Sequence, residues 1–150
     1  MSLPLRHCPD GWRRLARDRE FALALLAGPV FWVWRAGGIP ELSVIAWPRL
    51  LWLALVVPIV EELAFRGWLQ GTLAERWPRR WWGQRLSLAN LLTSLLFAAA
   101  HVITAGHWSG LLVLAPSLVF GYFRDRYQRV APAAILHGFY NAGFFITQGG

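Results

Sequence analysis

The chain has 150 residues and a formal net charge of +7; 56% of it is hydrophobic, 15% aromatic and 15% charged. That apolar share exceeds the roughly 45–50% usual for soluble domains, and it comes in blocks without regular polar alternation, which excludes an ordinary water-soluble core and points to lipid as solvent. All the basic residues are arginines, set in short clusters between the apolar blocks, a pattern that fixes membrane topology and meets anionic headgroups and argues against a nucleic-acid partner.

Five apolar blocks follow in order, at residues 21–36, 50–73, 86–105, 111–123 and 131–147. A bilayer core of about 30 Å takes about 20 helical residues, so the second and third blocks have full length while the first and fourth are short. The first is extended by Leu15 and Ala16, with Arg17 and Arg19 snorkelling to the interface. The expectation is an all-α, polytopic membrane helix bundle of five crossings. It forms one integral membrane domain over residues 1–150, with a basic N-terminal segment at 1–20 and a catalytic core at 50–147. The basic run before the first block also resembles a secretion signal, but no soluble mature region follows it. Cys8 is the sole cysteine, so no intramolecular disulfide forms.

Loop charge orients the bundle. Arg6, Arg13, Arg14, Arg17 and Arg19 precede the first block, Arg76, Arg79, Arg80 and Arg85 separate the second from the third, and Arg124, Arg126 and Arg129 separate the fourth from the fifth. The intervening loops hold only Arg35 and Arg49. Arginines flanking membrane spans favour the cytoplasm, which predicts an inside N-terminus and an outside C-terminus; the expected location is an integral, multi-pass one, in a bacterial inner membrane. Tryptophans fit two interfacial belts: Trp32, Trp34, Trp47, Trp52 and Trp108 on the outer side, and Trp12, Trp68, Trp77, Trp81 and Trp82 on the inner.

Ionisable groups inside apolar blocks are costly, face the bundle interior and mark function. In the second block Glu62 and Arg66 stand four apart on one helical face, able to pair, while Glu61 points about 100° away and is free to face a cavity. Pro58 lacks an amide hydrogen and should loosen the helix just before them. Phe97 and His101 share a face of the third block, as do His137 and Asn141 of the fifth. Polar groups on three crossings avoid lipid best by converging on one site. A carboxylate beside an imidazole can deprotonate water, and neutral donors can hold the oxyanion of an attacked amide. Ser94 and Ser117 read as helix-packing residues, and His7 and His107 as exposed and inert.

These residues resemble the CAAX protease and bacteriocin-processing family of intramembrane proteases, also called the CPBP or Abi family. The match is carried by Glu-Glu-x-x-x-Arg at Glu61, Glu62 and Arg66, Phe-x-x-x-His at Phe97 and His101, and His-x-x-x-Asn at His137 and Asn141, in that order and over residues 57–145. The resemblance implies a glutamate-dependent endopeptidase acting on a membrane-anchored protein or peptide. It makes Glu61 the base on water, His101 its partner, His137 and Asn141 the oxyanion donors, and Glu62, Arg66 and Phe97 supporting residues. Glu61, His101 and His137 would be the ligands if zinc were bound. The metal-free, cofactor-free form is favoured, since no His-Glu-x-x-His segment is present. Family members typically have more crossings, which leaves room for an oligomer or a partner protein. From other classes, a non-catalytic membrane scaffold or transporter subunit would use the same residues as helix glue, and a proton-coupled carrier would use them as a relay. Glue explains the Glu62 and Arg66 pair but gives no need for a second carboxylate facing His101, and a carrier is disfavoured by the chain's small size.

Overall fold

A computed structural model of the chain describes residues 11–38, 46–82 and 85–148; His7 and Cys8 lie outside them. The architecture is all-α apart from one small hairpin. Helices α1 (Gly11–Ala16) and α2 (Arg19–Ala36) come first. Asp18 starts α2 by accepting the amides of Glu20 at 2.9 Å and Phe21 at 3.3 Å, and Gly37 ends it in the left-handed region at φ 71°.

The long helix α3 runs over residues 47–76. It is α-helical at Trp47–Leu51, Val57–Glu62 and Gln70–Arg76, and π-helical at Trp52–Val56 and Leu63–Leu69. The loosening expected at Pro58 takes the form of the first π segment, because proline offers no hydrogen to the carbonyl one turn earlier. The backbone on that side is cared for by α6: Asn141 Nδ2 donates to Leu53 O at 3.1 Å, and Gly138 lets Ala54 O come so close that a Cβ there would lie 2.4 Å away.

Strands β1 (Arg80–Trp81) and β2 (Leu86–Ser87) pair antiparallel, Arg80 opposite Ser87. Pairs this short leave no alternation to read in the sequence. Ser87 then caps α4 (Leu88–Ala105) through the Asn90 amide at 2.9 Å. A 3₁₀ turn at Trp108–Val113 leads into α5 (Leu114–Tyr127), and α6 (Ala131–Gln148) closes the chain. His107, read as inert, caps the 3₁₀ turn by accepting the Ser109 amide at 3.1 Å.

Helix α6 packs against α2, α3 and α5, and α4 against α3 and α5. The apolar cluster of Leu15, Phe21, Phe120, Phe123, Ala133 and Leu136 joins α1, α2, α5 and α6. Elsewhere the interior is unusually polar. Glu62, Arg66, Gln70, Asn90, Thr93, Ser94 and Ser117 are fully buried, while large apolar residues such as Leu26, Val30, Val60, Leu63, Leu96 and Ile103 lie on the outside. Small residues bring the helices together; a Cβ on Gly121 would stand 1.9 Å from Asn90 Oδ1. Polar glue, small contact residues and an apolar exterior are how helices associate in lipid.

By length and composition, one described helix, Leu88–Ala105, is long and apolar enough to cross a membrane. The separate arginine clusters meet at one end of the bundle: Arg126 pairs with Asp18 at 3.0 Å, Arg85 with Glu20 at 3.3 Å and Arg80 with Asp125 at 4.0 Å.

Candidate active site

Glu61 and Glu62 occupy the middle of α3, between its two π segments. Glu62 is sealed in. Its Oε2 accepts from Arg66 Nε at 3.1 Å, and its Oε1 from His137 Nδ1 at 2.9 Å. Arg66 continues into α5, donating through Nη2 to Ser117 Oγ at 2.5 Å and Ser117 O at 3.1 Å. Its guanidinium also lies 5.5 Å over the Phe97 ring, while Nη1 is buried without a hydrogen-bond partner among the described residues.

Glu61 is different. Its side chain keeps 29% exposure, and Oε2 lies 3.5 Å from His137 Nε2, an ion-pair distance and not a tight hydrogen bond. His137 thus stands between two carboxylates, Nδ1 donating to Glu62 while Nε2 faces Glu61, where it donates only if the ring carries both hydrogens. The imidazole plane is fixed by Phe120, stacked at 5.1 Å and 19°, and by the edge of Phe97 at 5.8 Å.

His101 sits farther along α4. Its ring packs on Phe97 at 4.3 Å, and Nδ1 lies 3.0 Å from Phe97 O. A carbonyl only accepts, so Nδ1 carries the hydrogen and Nε2 of the neutral ring keeps its lone pair. The sequence places His101 near the far end of α4 and His137 near the basic end of α6. Phe97, one helical turn before His101, packs against both imidazoles and stands between them. Among the described residues His101 forms no ion pair or hydrogen bond with Glu61 or His137. Asn141 is on the His137 helix one turn later, with one amide hydrogen on Leu53 O.

The structure therefore brings Glu61, Glu62, Arg66 and His137 together, with Phe97 against them, and leaves His101 and Asn141 at the margin. No three His, Cys, Asp or Glu side chains among the described residues are grouped as a metal ion requires, so Glu61, His101 and His137 do not form a ligand set as they stand. Ser117 and Phe120 belong to the cluster and were not singled out by sequence motifs. A signal exists in their spacing: Glu62, Arg66 and Gln70 recur every four residues on α3, and Ser117, Gly121 and Asp125 match them on α5. Gln70 Nε2 donates to Gly121 O at 3.0 Å and Asp125 Oδ1 at 2.8 Å, the next rung of the same ladder.

The family described as type II CAAX prenyl endopeptidase Rce1-like matches residues 42–143. The UPF0177 protein YbdI of Lactococcus lactis subsp. lactis (strain IL1403) is 32% identical over 95 residues, covering 63% of this chain and 46% of that protein. The chain thus spans about half the length of this curated relative. No solved structure matches.

Proposed function

Because the chain belongs to the Rce1-like family, a family of membrane-embedded proteases, we propose that it is a multi-pass intramembrane endopeptidase hydrolysing a peptide bond in a membrane-anchored protein or peptide. In this reading α2 through α6 supply five crossings, and the arginine-rich end faces the cytoplasm.

The observation that carries the reading is the unequal state of the two neighbouring carboxylates. Glu62 is fully buried and occupied by Arg66 and His137, whereas Glu61 is partly exposed and, among the described residues, shares only His137. A buried, doubly held carboxylate has no freedom to meet water; an adjacent one with an open side does. Glu61 takes a proton from water as the oxygen adds to the amide carbon. The resulting oxyanion accepts from the remaining amide hydrogen of Asn141, and from His137 Nε2 when that ring carries a hydrogen on both nitrogens. Glu61 then returns that proton to the leaving nitrogen as the C–N bond breaks, and His101, beyond Phe97, is the partner that the family resemblance assigns to it. Arg66 and Glu62 hold His137 in place. No step runs through a metal.

The test is reconstitution of the purified chain in vesicles with membrane-anchored substrates, including one with a prenylated carboxyl-terminal tail. Glu61→Gln and His101→Ala are each expected to lower cleavage by about 10²–10⁴-fold. Cleavage that survives Glu61→Gln sinks the mechanism, and activity lost to a chelator and restored by zinc replaces it with a metal-dependent one.

A further inference from the structure

Three buried side-chain atoms, Arg66 Nη1, Gln70 Oε1 and Thr93 Oγ1, form no hydrogen bond among the described residues, and the three residues that carry them are fully enclosed. They are also neighbours. Arg66 lies over the Phe97 ring at 5.5 Å; one turn nearer the basic end, Gln70 Nε2 donates to Gly121 O at 3.0 Å, and Asn90 Oδ1 meets the same glycine. Helix α4 therefore passes α3 in the opposite sense, and Thr93, between Asn90 and Phe97 on one face, falls between those two levels. Thr93 also departs from the other threonines. The hydroxyls of Thr72, Thr104 and Thr147 turn back to a carbonyl of their own helix, at 2.9, 3.3 and 2.7 Å, the usual resort of a helical threonine. That of Thr93 is aimed away from its own backbone, toward the other two atoms.

The chemistry of the three groups defines what satisfies them. A guanidinium nitrogen only donates, an amide oxygen only accepts and a hydroxyl does either. Arg66 repels a cation, and an anion is opposed by the Gln70 oxygen and by Glu62, which already balances that arginine at 3.1 Å. The occupant has to be small, neutral and able both to accept and to donate. We propose that Arg66, Gln70 and Thr93 bind one buried water, which accepts from Arg66 Nη1, donates to Gln70 Oε1 and has the Thr93 hydroxyl as its third partner. Three polar partners are the usual complement of such a molecule. The water ties α4 to the chain of Glu62, Arg66, Ser117 and His137, which by direct hydrogen bonds joins α3, α5 and α6. It stands apart from the peptidase reading, because hydration of these groups requires no chemistry at Glu61.

The full chain is crystallised from a lipid mesophase, as wild type, Thr93→Ser and Thr93→Val, to a resolution that shows ordered water. A solvent peak is expected about 2.7–3.2 Å from all three atoms in the wild type. It is kept in Thr93→Ser and lost or displaced in Thr93→Val, which matches threonine in shape and offers no hydroxyl. A dry site, direct bonding among the three side chains, an ion at that position or an unchanged peak in Thr93→Val overturns the proposal. Equilibrium unfolding in mixed micelles gives a second reading. Thr93→Val is expected to lower the folded-to-unfolded ratio by about tenfold or more, since it takes a shared partner from two buried groups. Thr72→Val, at an exposed hydroxyl bonded within its own helix, should change it by less than about twofold. Equal losses from the two valines overturn the proposal as well. Should Thr93→Val not fold, Thr93→Ser still has to hold the peak between Arg66 and Gln70.

Discussion

Two of the acid–arginine networks among the described residues obey different rules. In the middle of the bundle Glu62, Arg66, Ser117 and His137 form a chain with both ionic partners at 0% exposure. At the basic end Asp18, Glu20, Arg126, Tyr122 and Tyr127 form a comparable web: Tyr127 donates to Asp18 at 2.5 Å, Tyr122 to Glu20, and Arg126 bridges both carboxylates at one-third exposure. In the first, each charge has only its partners for solvation, so the members stand or fall together. In the second, water and salt share the load and single links are individually modest. Similar residue types thus make a rigid, high-stakes support beneath the candidate active site and a forgiving clasp between chain segments.

The comparison breaks most sharply at Arg66. Arg66→Met leaves Glu62 buried without its cation and is expected to cost about 3–5 kcal/mol in equilibrium unfolding from mixed micelles. Adding Glu62→Leu should recover part of that loss, because a pair of apolar residues leaves no stranded charge; further loss in the double variant would mean the two do not act as a unit. Asp18→Ala removes the α2 cap and the anchor of the clasp for about 1 kcal/mol by the same measurement.

Acid sharpens the contrast. Burial works to raise the Asp18 carboxyl, but the Tyr127 hydroxyl, the Phe21 and Glu20 amides and Arg126 together hold it below the usual carboxylate value. A group whose folded value is depressed stabilises fully above the ordinary value and loses that contribution as pH falls through the folded one. Unfolding followed below the usual carboxylate range should therefore show a loss of stability that is smaller in Asp18→Ala; an identical acid limb in both proteins would remove Asp18 from the account. The smallest effect belongs to Arg85→Ala. That pair with Glu20 has an arginine 69% exposed, and its removal should change stability by less than about 0.5 kcal/mol, fading further in high salt.

Much of the fold is legible in the sequence because lipid imposes long apolar runs. The blocks at 86–105 and 131–147 coincide with α4 and α6 to within two residues at either end. The block at 50–73 becomes a helix over 47–76, since Pro48 is tolerated in a first turn. The π segments are less legible: they depend on where Asn141 and Gly138 of another helix meet the carbonyls before Pro58. The motif pairs announce which residues face inward, but periodicity says nothing of helix stagger. That is why it does not show that Phe97, one turn short of His101, stands at the level of His137. The carboxylate nearer to that imidazole is also Glu62, whose two oxygens serve Arg66 and His137 at once. Spacing on one helix reveals the first partner and is silent about the second.

The two wide segments of the long helix carry a consequence for how its length can change. A π turn holds one residue more than an α turn, so deleting a position within Trp52–Val56 has somewhere to be absorbed, with both flanks keeping their facing. The same deletion inside Val57–Glu62 rotates everything beyond it by about 100° and swings Arg66 off its serine. Insertions and deletions in this helix should thus be sorted by segment: tolerated where the coil is wide, ruinous where it is tight.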